Sequence, residues 1–290
     1  MYCLLLPAII CVIIFSYIPL SGLLIAFKDY NVLEGFAKSP WVGLKHFQNI
    51  IALPAFAKAV KNTFIYSGIC LFGQFPFPII LAICINEIKN SFTRRTVQTI
   101  SYLPYFLSWV SVVGFAYSLF SLTGSYNDLM VKIFGESYER TNILLESKNF
   151  VGVLFFSGLW KSTGWSSVLY LAAICGIDQS LYEAAEIDGC GRLKKTWYIT
   201  LPCISTTAVN VLILGIGSLV NSNFEQVYGF QNVYIQNDTD VINTITYREG
   251  IQNGNYSAAT ALSAAQGVVS IILVLCTNAV SKKIAKISIW

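Results

Sequence analysis

"EAAEIDGCGRLKKTWYITLP", residues 183–202, carries three acidic and three basic residues in a chain that otherwise avoids charge. Of the 290 residues, 55% are hydrophobic and 12% are charged, with a mean hydropathy of +0.60. Soluble domains carry about 25% charged residues. Outward from this segment, Asp, Glu, Lys and Arg leave gaps at 1–27, 62–86, 96–127, 149–177 (broken only by Lys161), 196–224 and 250–281. Each gap exceeds the about 20 residues that a helix needs to cross a bilayer. Backbone groups in lipid must be satisfied within their own segment, so the spans are expected to be helices. The expectation is an all-α, polytopic membrane protein: one transmembrane domain over 1–290 with six spans, at 3–27, 63–86, 100–120, 151–174, 204–222 and 259–280.

The first span is too long and continuous for a signal peptide, and no small-residue cleavage site follows it. No basic residues precede it. The eight cysteines form no CxxC pair and fall in spans or inner loops, where they are expected to be buried, reduced thiols acting as small hydrophobes. The compact connections 87–99 and 175–203 and the tail hold nine basic residues: Lys89, Arg94, Arg95, Arg192, Lys194, Lys195, Lys282, Lys283 and Lys286. The long loops 28–62, 121–150 and 223–258 also hold nine, over about twice the length and beside ten acids. Density near the span ends assigns the compact set, and both termini, to the cytoplasm. A net charge of +4 fits basic inner loops and does not call for nucleic acid. "QFPFP" (74–78) is expected to bend the second span sharply.

Within the charged segment, "SLYE" (180–183) has the form of a capping box. Gly189 suits the left-handed position after a helix end. "RLKKTWYI" (192–199) puts Leu193 and Trp197 on one face of a second short helix, and Pro202 marks the turn into the next span. The product is two short helices at a glycine elbow. On physical grounds alone they either lie on lipid headgroups or dock into a protein groove. Ala184 and Ala185 are too small to anchor in lipid and favour the groove.

The spacing Glu183-Ala184-Ala185, Gly189, Ile199, Leu201-Pro202 resembles the EAA motif of bacterial ABC importer permeases. The rest of the chain, notably 4–31, "SPWVGLKHF" (39–47) and "YLPYFLSWV" (102–110), resembles the carbohydrate-uptake group that includes the lipoprotein-associated polysaccharide permeases. The resemblance implies a type I importer fold with cytoplasmic coupling helices in the bacterial plasma membrane. Glu183, Ala184, Ala185, Asp188, Gly189, Leu193, Trp197, Leu201 and Pro202 would engage the ATPase. It also implies a second homologous permease subunit, two ATP-binding subunits that hold ATP and Mg, an extracellular lipid-anchored solute-binding protein, and an oligosaccharide substrate. The long outer loops would dock the binding protein. No G-x-x-x-x-G-K-[ST] phosphate loop occurs, so this chain is expected to hold no cofactor and to hydrolyse no ATP itself.

Intramembrane charge marks a functional candidate. Lys161 is flanked by Trp160 and Trp165, whose faces suit the apolar C–H face of a sugar. The competing reading is a snorkelling lysine within an aromatic belt. Asn221, Asn223, Phe224 and Glu225 offer amide and carboxylate hydrogen bonds, or else simply begin an outer loop. Tyr105, Phe106 and Trp109 line the same path or pack between helices. His46 has no ligand cluster around it, so neither a metal nor a catalytic role is expected. "NDT" (237–239) and "NYS" (255–257) match glycosylation acceptors incidentally. Two other classes stay open: a permease for peptides or amino acids, which would need paired opposite charges in its cavity, and an intramembrane enzyme or non-transporting scaffold.

Overall fold

The computed structural model describes residues 2–135 and 137–284; Lys286, counted above among the basic residues, lies outside them. Among the described residues the chain is all-helical, with one isolated bridge between Lys28 and Trp41. Four helices are long and apolar enough to cross a membrane: Leu5–Phe27, Pro54–Asn86, Arg192–Gly217 and Tyr256–Lys283. A fifth crossing is added if the bent pair Ser91–Phe106 and Trp109–Phe134 counts as one span.

The third expected span, 100–120, is therefore not one helix; its two pieces meet at 96°. Pro104 sits in a tight 3-10 turn over Leu103–Phe106, and Leu107 and Ser108 are extended. The Ser108 hydroxyl then caps the new helix by accepting from the Ser111 N–H at 3.1 Å. A serine cap satisfies an orphan helix donor, so the break has no unmet polar cost there. The bend expected at "QFPFP" is absent as a break of that size, since Pro54–Asn86 runs as one span. Pro76 opens the second segment, Pro76–Asn86, where a missing N–H is tolerated, and the Phe75 N–H still reaches the Leu71 carbonyl at 3.1 Å.

The fourth expected span is the helix Phe150–Cys175. At about 1.5 Å per residue it is about 39 Å long, enough for a hydrocarbon core of about 30 Å. Its middle, "WKSTGWSS" (160–167), makes it less apolar than the four spans above. That polarity is turned inward: the buried stripe is Phe150, Leu154, Gly158, Lys161, Gly164, Ser167, Tyr170 and Ile174, at helical spacing. Below it, Tyr170 and Ile174 pack with Ala82 and Ile204 in a buried apolar cluster.

The chain divides into two compact units: Met1–Thr63 with Asp240–Val269, and Phe64–Thr239 with Ser270–Trp290. The first is built on buried polar contacts. The Lys28 carbonyl accepts from the Ser257 hydroxyl at 2.7 Å and from His46 Nε2 at 3.1 Å. The Lys28 ammonium donates to the Phe36 carbonyl at 2.7 Å and sits 4.3 Å from the Phe36 ring centre. His46 thus has a structural partner in this unit. Asp240, buried, takes a two-pronged contact from Arg248 at 2.7 and 3.0 Å, and its carbonyl accepts from Asn62 at 2.9 Å. Arg248→Met should remove that two-pronged contact. With the Arg side chain 30% exposed, we expect a loss of about 2 kcal/mol, read as a lowered melting temperature in detergent. An unchanged melt would show that the pair contributes nothing.

The cysteines depart from expectation. Cys11, Cys84, Cys175, Cys203 and Cys276 are free and exposed on the chain's surface, while Cys70 and Cys190 are half-buried. A thiol on the outer face of an apolar span needs no protein cover, because lipid accepts it.

Candidate functional site

Two constellations carry the functional candidates. The first is the charged segment, which leaves the Phe150–Cys175 helix and forms the short helix Gln179–Ile187. Its cap is not Ser180 but Asp178, whose carboxylate accepts from the Ser180 N–H at 3.0 Å. That bond holds the exposed Asp178 carboxyl below the usual carboxylate range. A charged acceptor two residues upstream outcompetes the serine hydroxyl for the first-turn N–H groups. The helix ends as the sequence suggests. Gly189 has φ +72°, its N–H meets the Glu186 carbonyl at 3.0 Å, and the Cys190 N–H meets the Ala185 carbonyl at 2.8 Å. This double closure needs a left-handed residue, so a side chain at 189 would be strained.

Beyond the elbow, residues 192–199 are not a separate helix. They open the continuous Arg192–Gly217 helix, through a π turn at Thr196–Thr200. Pro202 lies inside this helix and marks no turn. The wider π turn just before it accommodates the missing N–H. The two arms are tied by the Tyr182 hydroxyl against the Thr200 hydroxyl at 2.9 Å and by the Lys195–Glu186 ion pair. The hydrogen-bonded Lys195 ammonium holds the Glu186 carboxyl below its ordinary value. Glu183, Ala184 and Asp188 are exposed, Ala185 is buried, and Leu201 and Pro202 are half-buried and exposed. Leu193 at 87% and Trp197 at 68% stand out into the surroundings. Such large apolar side chains on a polar surface mark an interaction face.

The second constellation lies in the larger unit. Lys161 is 8% exposed. Its ammonium donates to the carbonyls of Tyr105 at 2.7 Å and Leu107 at 2.5 Å, both at the 96° break. It also lies 5.4 Å from the ring centres of Tyr105 and Trp109. Trp165, one turn on, stacks on Tyr105 at 4.8 Å with the planes 9° apart, and Phe106 meets Trp165 edge-on. Five of the expected path residues thus form one cluster, in which the buried Lys161 ammonium gives two hydrogen bonds to backbone carbonyls.

Beside the cluster is a cavity of about 710 Å³, with Trp165, Asn221 and Asn223 in its wall. Ser67, Gln74, Ser162, Thr163, Ser166, Ser218 and Ser222 add further polar groups to the lining and were not among the expected residues. The signal that finds them is an uncharged polar residue inside an apolar span. Gln74 donates to the Phe155 carbonyl at 2.8 Å, which presents its amide at the wall. Trp160 lines a different, more apolar cavity of about 590 Å³ with Phe156 and Phe230. Phe224 stacks on Tyr228 at 5.2 Å, and Glu225 is exposed on the same short helix.

Residues 74–286 match the model of the binding-protein-dependent transport system inner membrane component. The chain belongs to this family. The permease is 40% identical to Protein LplB of Bacillus subtilis (strain 168) over 284 residues, covering 98% of this chain and 88% of that protein. It is 37% identical over 290 residues to the polygalacturonan/rhamnogalacturonan transport system permease protein YteP of the same organism, covering 100% and 90%. Its fold superposes on a chain of the bacterial alginate ABC transporter, solved with an alginate pentasaccharide-bound periplasmic protein. The TM-score is 0.89 at 37% identity, covering 99% of this permease and 96% of that chain. Alginate is an acidic polysaccharide. The permease is thus a multi-pass membrane transport subunit with the type I ABC permease fold, all-helical among the described residues.

Proposed function

We propose that this permease is one of two membrane subunits of an ATP-driven importer that moves oligosaccharides delivered by an extracellular, lipid-anchored binding protein. The observation that carries the reading is the stacked Tyr105–Trp165 pair beside a cavity lined with Gln74, Asn221 and Asn223. Aromatic faces accept the C–H faces of sugar rings, and carboxamides both donate to and accept from hydroxyls. The likeness to saccharide transport proteins supports it. On this reading the chain crosses the membrane six times, with the bent Ser91–Phe134 pair as the third crossing and Phe150–Cys175 as the fourth. Both termini and the elbow around Gly189 lie in the cytoplasm. Two separate subunits bind ATP and Mg, and this chain binds neither. The outer loops 28–62 and 223–258 receive the binding protein.

Coupling runs through the exposed face of Glu183, Ala184, Asp188, Leu193 and Trp197 seated in a groove of the ATPase. Ala185, Gly189, Leu201 and Pro202 hold its shape. Glu183 is exposed and carries no part of the fold's packing, so Glu183→Ala should fold normally. Losing a charge-assisted contact in that groove should lower binding-protein-stimulated ATP hydrolysis in proteoliposomes about tenfold or more. Equal stimulated turnover in the variant refutes the role of Glu183.

A further inference from the structure

The wall of the 710 Å³ cavity assigns a charge class to the substrate, and this inference rests on the saccharide reading above. The cavity is within the about 300–1,000 Å³ of small-ligand sites. Every polar side chain in its lining is neutral, with Gln74, Thr163, Ser166, Asn221 and Asn223 contributing carboxamides and hydroxyls around Trp165. The Lys161 ammonium is not in this wall; it lies against Tyr105, which stacks on the lining residue Trp165. It is buried, and both of its hydrogen bonds go to the carbonyls of Tyr105 and Leu107 at the break. Turning it toward a substrate would leave those two carbonyls without a donor.

Hydroxyls and carboxamides match the alternating donors and acceptors of a sugar's hydroxyl groups. A uronate asks for something else. Its carboxylate leaves water at high cost unless a cation or several N–H donors replace the lost solvation. We infer that the wall contributed by this chain is built for uncharged sugar residues, read through hydroxyl groups and C–H faces, and not for uronates. The permease would then differ in substrate charge from the importer of the acidic polysaccharide alginate that shares its fold.

The test compares tetragalacturonate with its carboxyl-reduced counterpart, two probes that differ only at C6. Binding to the assembled complex in nanodiscs, without binding protein, is followed by tryptophan quenching at low and high salt. The reduced probe should bind roughly tenfold more tightly, because an unpaired carboxylate costs about one or two orders of magnitude in affinity. Its affinity should not respond to salt, and it should weaken in Asn221→Ala. Ser166→Arg, which places a guanidinium in the wall, should shift the preference toward the uronate. Tighter, salt-sensitive binding of the uronate by the wild-type complex overturns the charge assignment and leaves the saccharide reading standing. Binding of neither probe, with binding of a zwitterionic tetrapeptide, overturns the saccharide reading itself. An unshifted preference in Ser166→Arg overturns the role of this wall in discrimination.

Discussion

Gly164→Ala is expected to yield a protein that inserts but does not pack, with little folded material recovered in detergent. The helix Phe150–Cys175 meets the Ser91–Tyr102 helix at this position. A Cβ on Gly164 would overlap the backbone carbonyl of Ser101. Small residues let membrane helices approach backbone to backbone, and here the approach is closer than alanine allows. Overpacking a core costs about 1–3 kcal/mol when side chains can yield. Backbone cannot rotate away as a side chain can, so the cost here should exceed that range. The break at 107–108 is held on one side by this contact, so displacement would also carry Tyr105 off Trp165. Gly152 is the internal control. It sits on the same helix with nothing near its would-be Cβ, and Gly152→Ala should be neutral or slightly stabilising because alanine is the better helix former. Fluorescence-detected size exclusion after heating separates the two. Matching melting curves for Gly164→Ala and Gly152→Ala would refute the close approach.

Lys161→Met is the second large effect. The methionine keeps the packing volume and leaves the Tyr105 and Leu107 carbonyls without the donor they have at the break. Each stranded acceptor costs about 1–3 kcal/mol. The cation–aromatic contacts to Tyr105 and Trp109 disappear with the charge, at about 0.5–2 kcal/mol. The total, about 2.5–8 kcal/mol from these ranges, is a large share of a domain's stability of about 5–15 kcal/mol. Lys161→Arg keeps N–H donors and a positive charge at the position, so it should recover most of the melting temperature. It should also restore stimulated ATP hydrolysis, because the break and its aromatic stack return to place. A Lys161→Met complex with wild-type stability and turnover would show that the lysine does not hold the break.

The same residue shows why the site was only partly legible. A lysine in an apolar span announces itself in the sequence as costly and therefore partnered. Its partners are carbonyls of residues 56 and 54 positions away, and a carbonyl has no sequence signature, since every residue carries one. Tyr105, Phe106, Trp109, Lys161 and Trp165 were readable as candidates, and the fold does bring them together. Trp160, one residue from Lys161, points to a different cavity, because neighbours on a helix are about 100° apart around its axis. Asp178 against Ser180 is a similar case: both are good caps, and the choice follows from where the preceding helix ends at Cys175.

Taken alone, the sequence determined the class of the molecule. Long charge-free gaps in a bilayer-crossing range force helices, and the spacing of Glu183, Gly189 and Pro202 marks a bent segment between two of them. Gly189 also fixed its own conformation, because a left-handed helix end is a local requirement that glycine alone meets without strain. Only the tertiary structure decided that the third expected span breaks after Phe106, that the helix from Arg192 continues past Pro202, and that the Lys161 ammonium is held by the Tyr105 and Leu107 carbonyls. The physical reason is range. Desolvation of charge and backbone geometry act within a segment and leave their mark in the order of residues. Helix docking at Gly164 and the capture of an ammonium by distant carbonyls depend on surfaces that exist only once the helices have met.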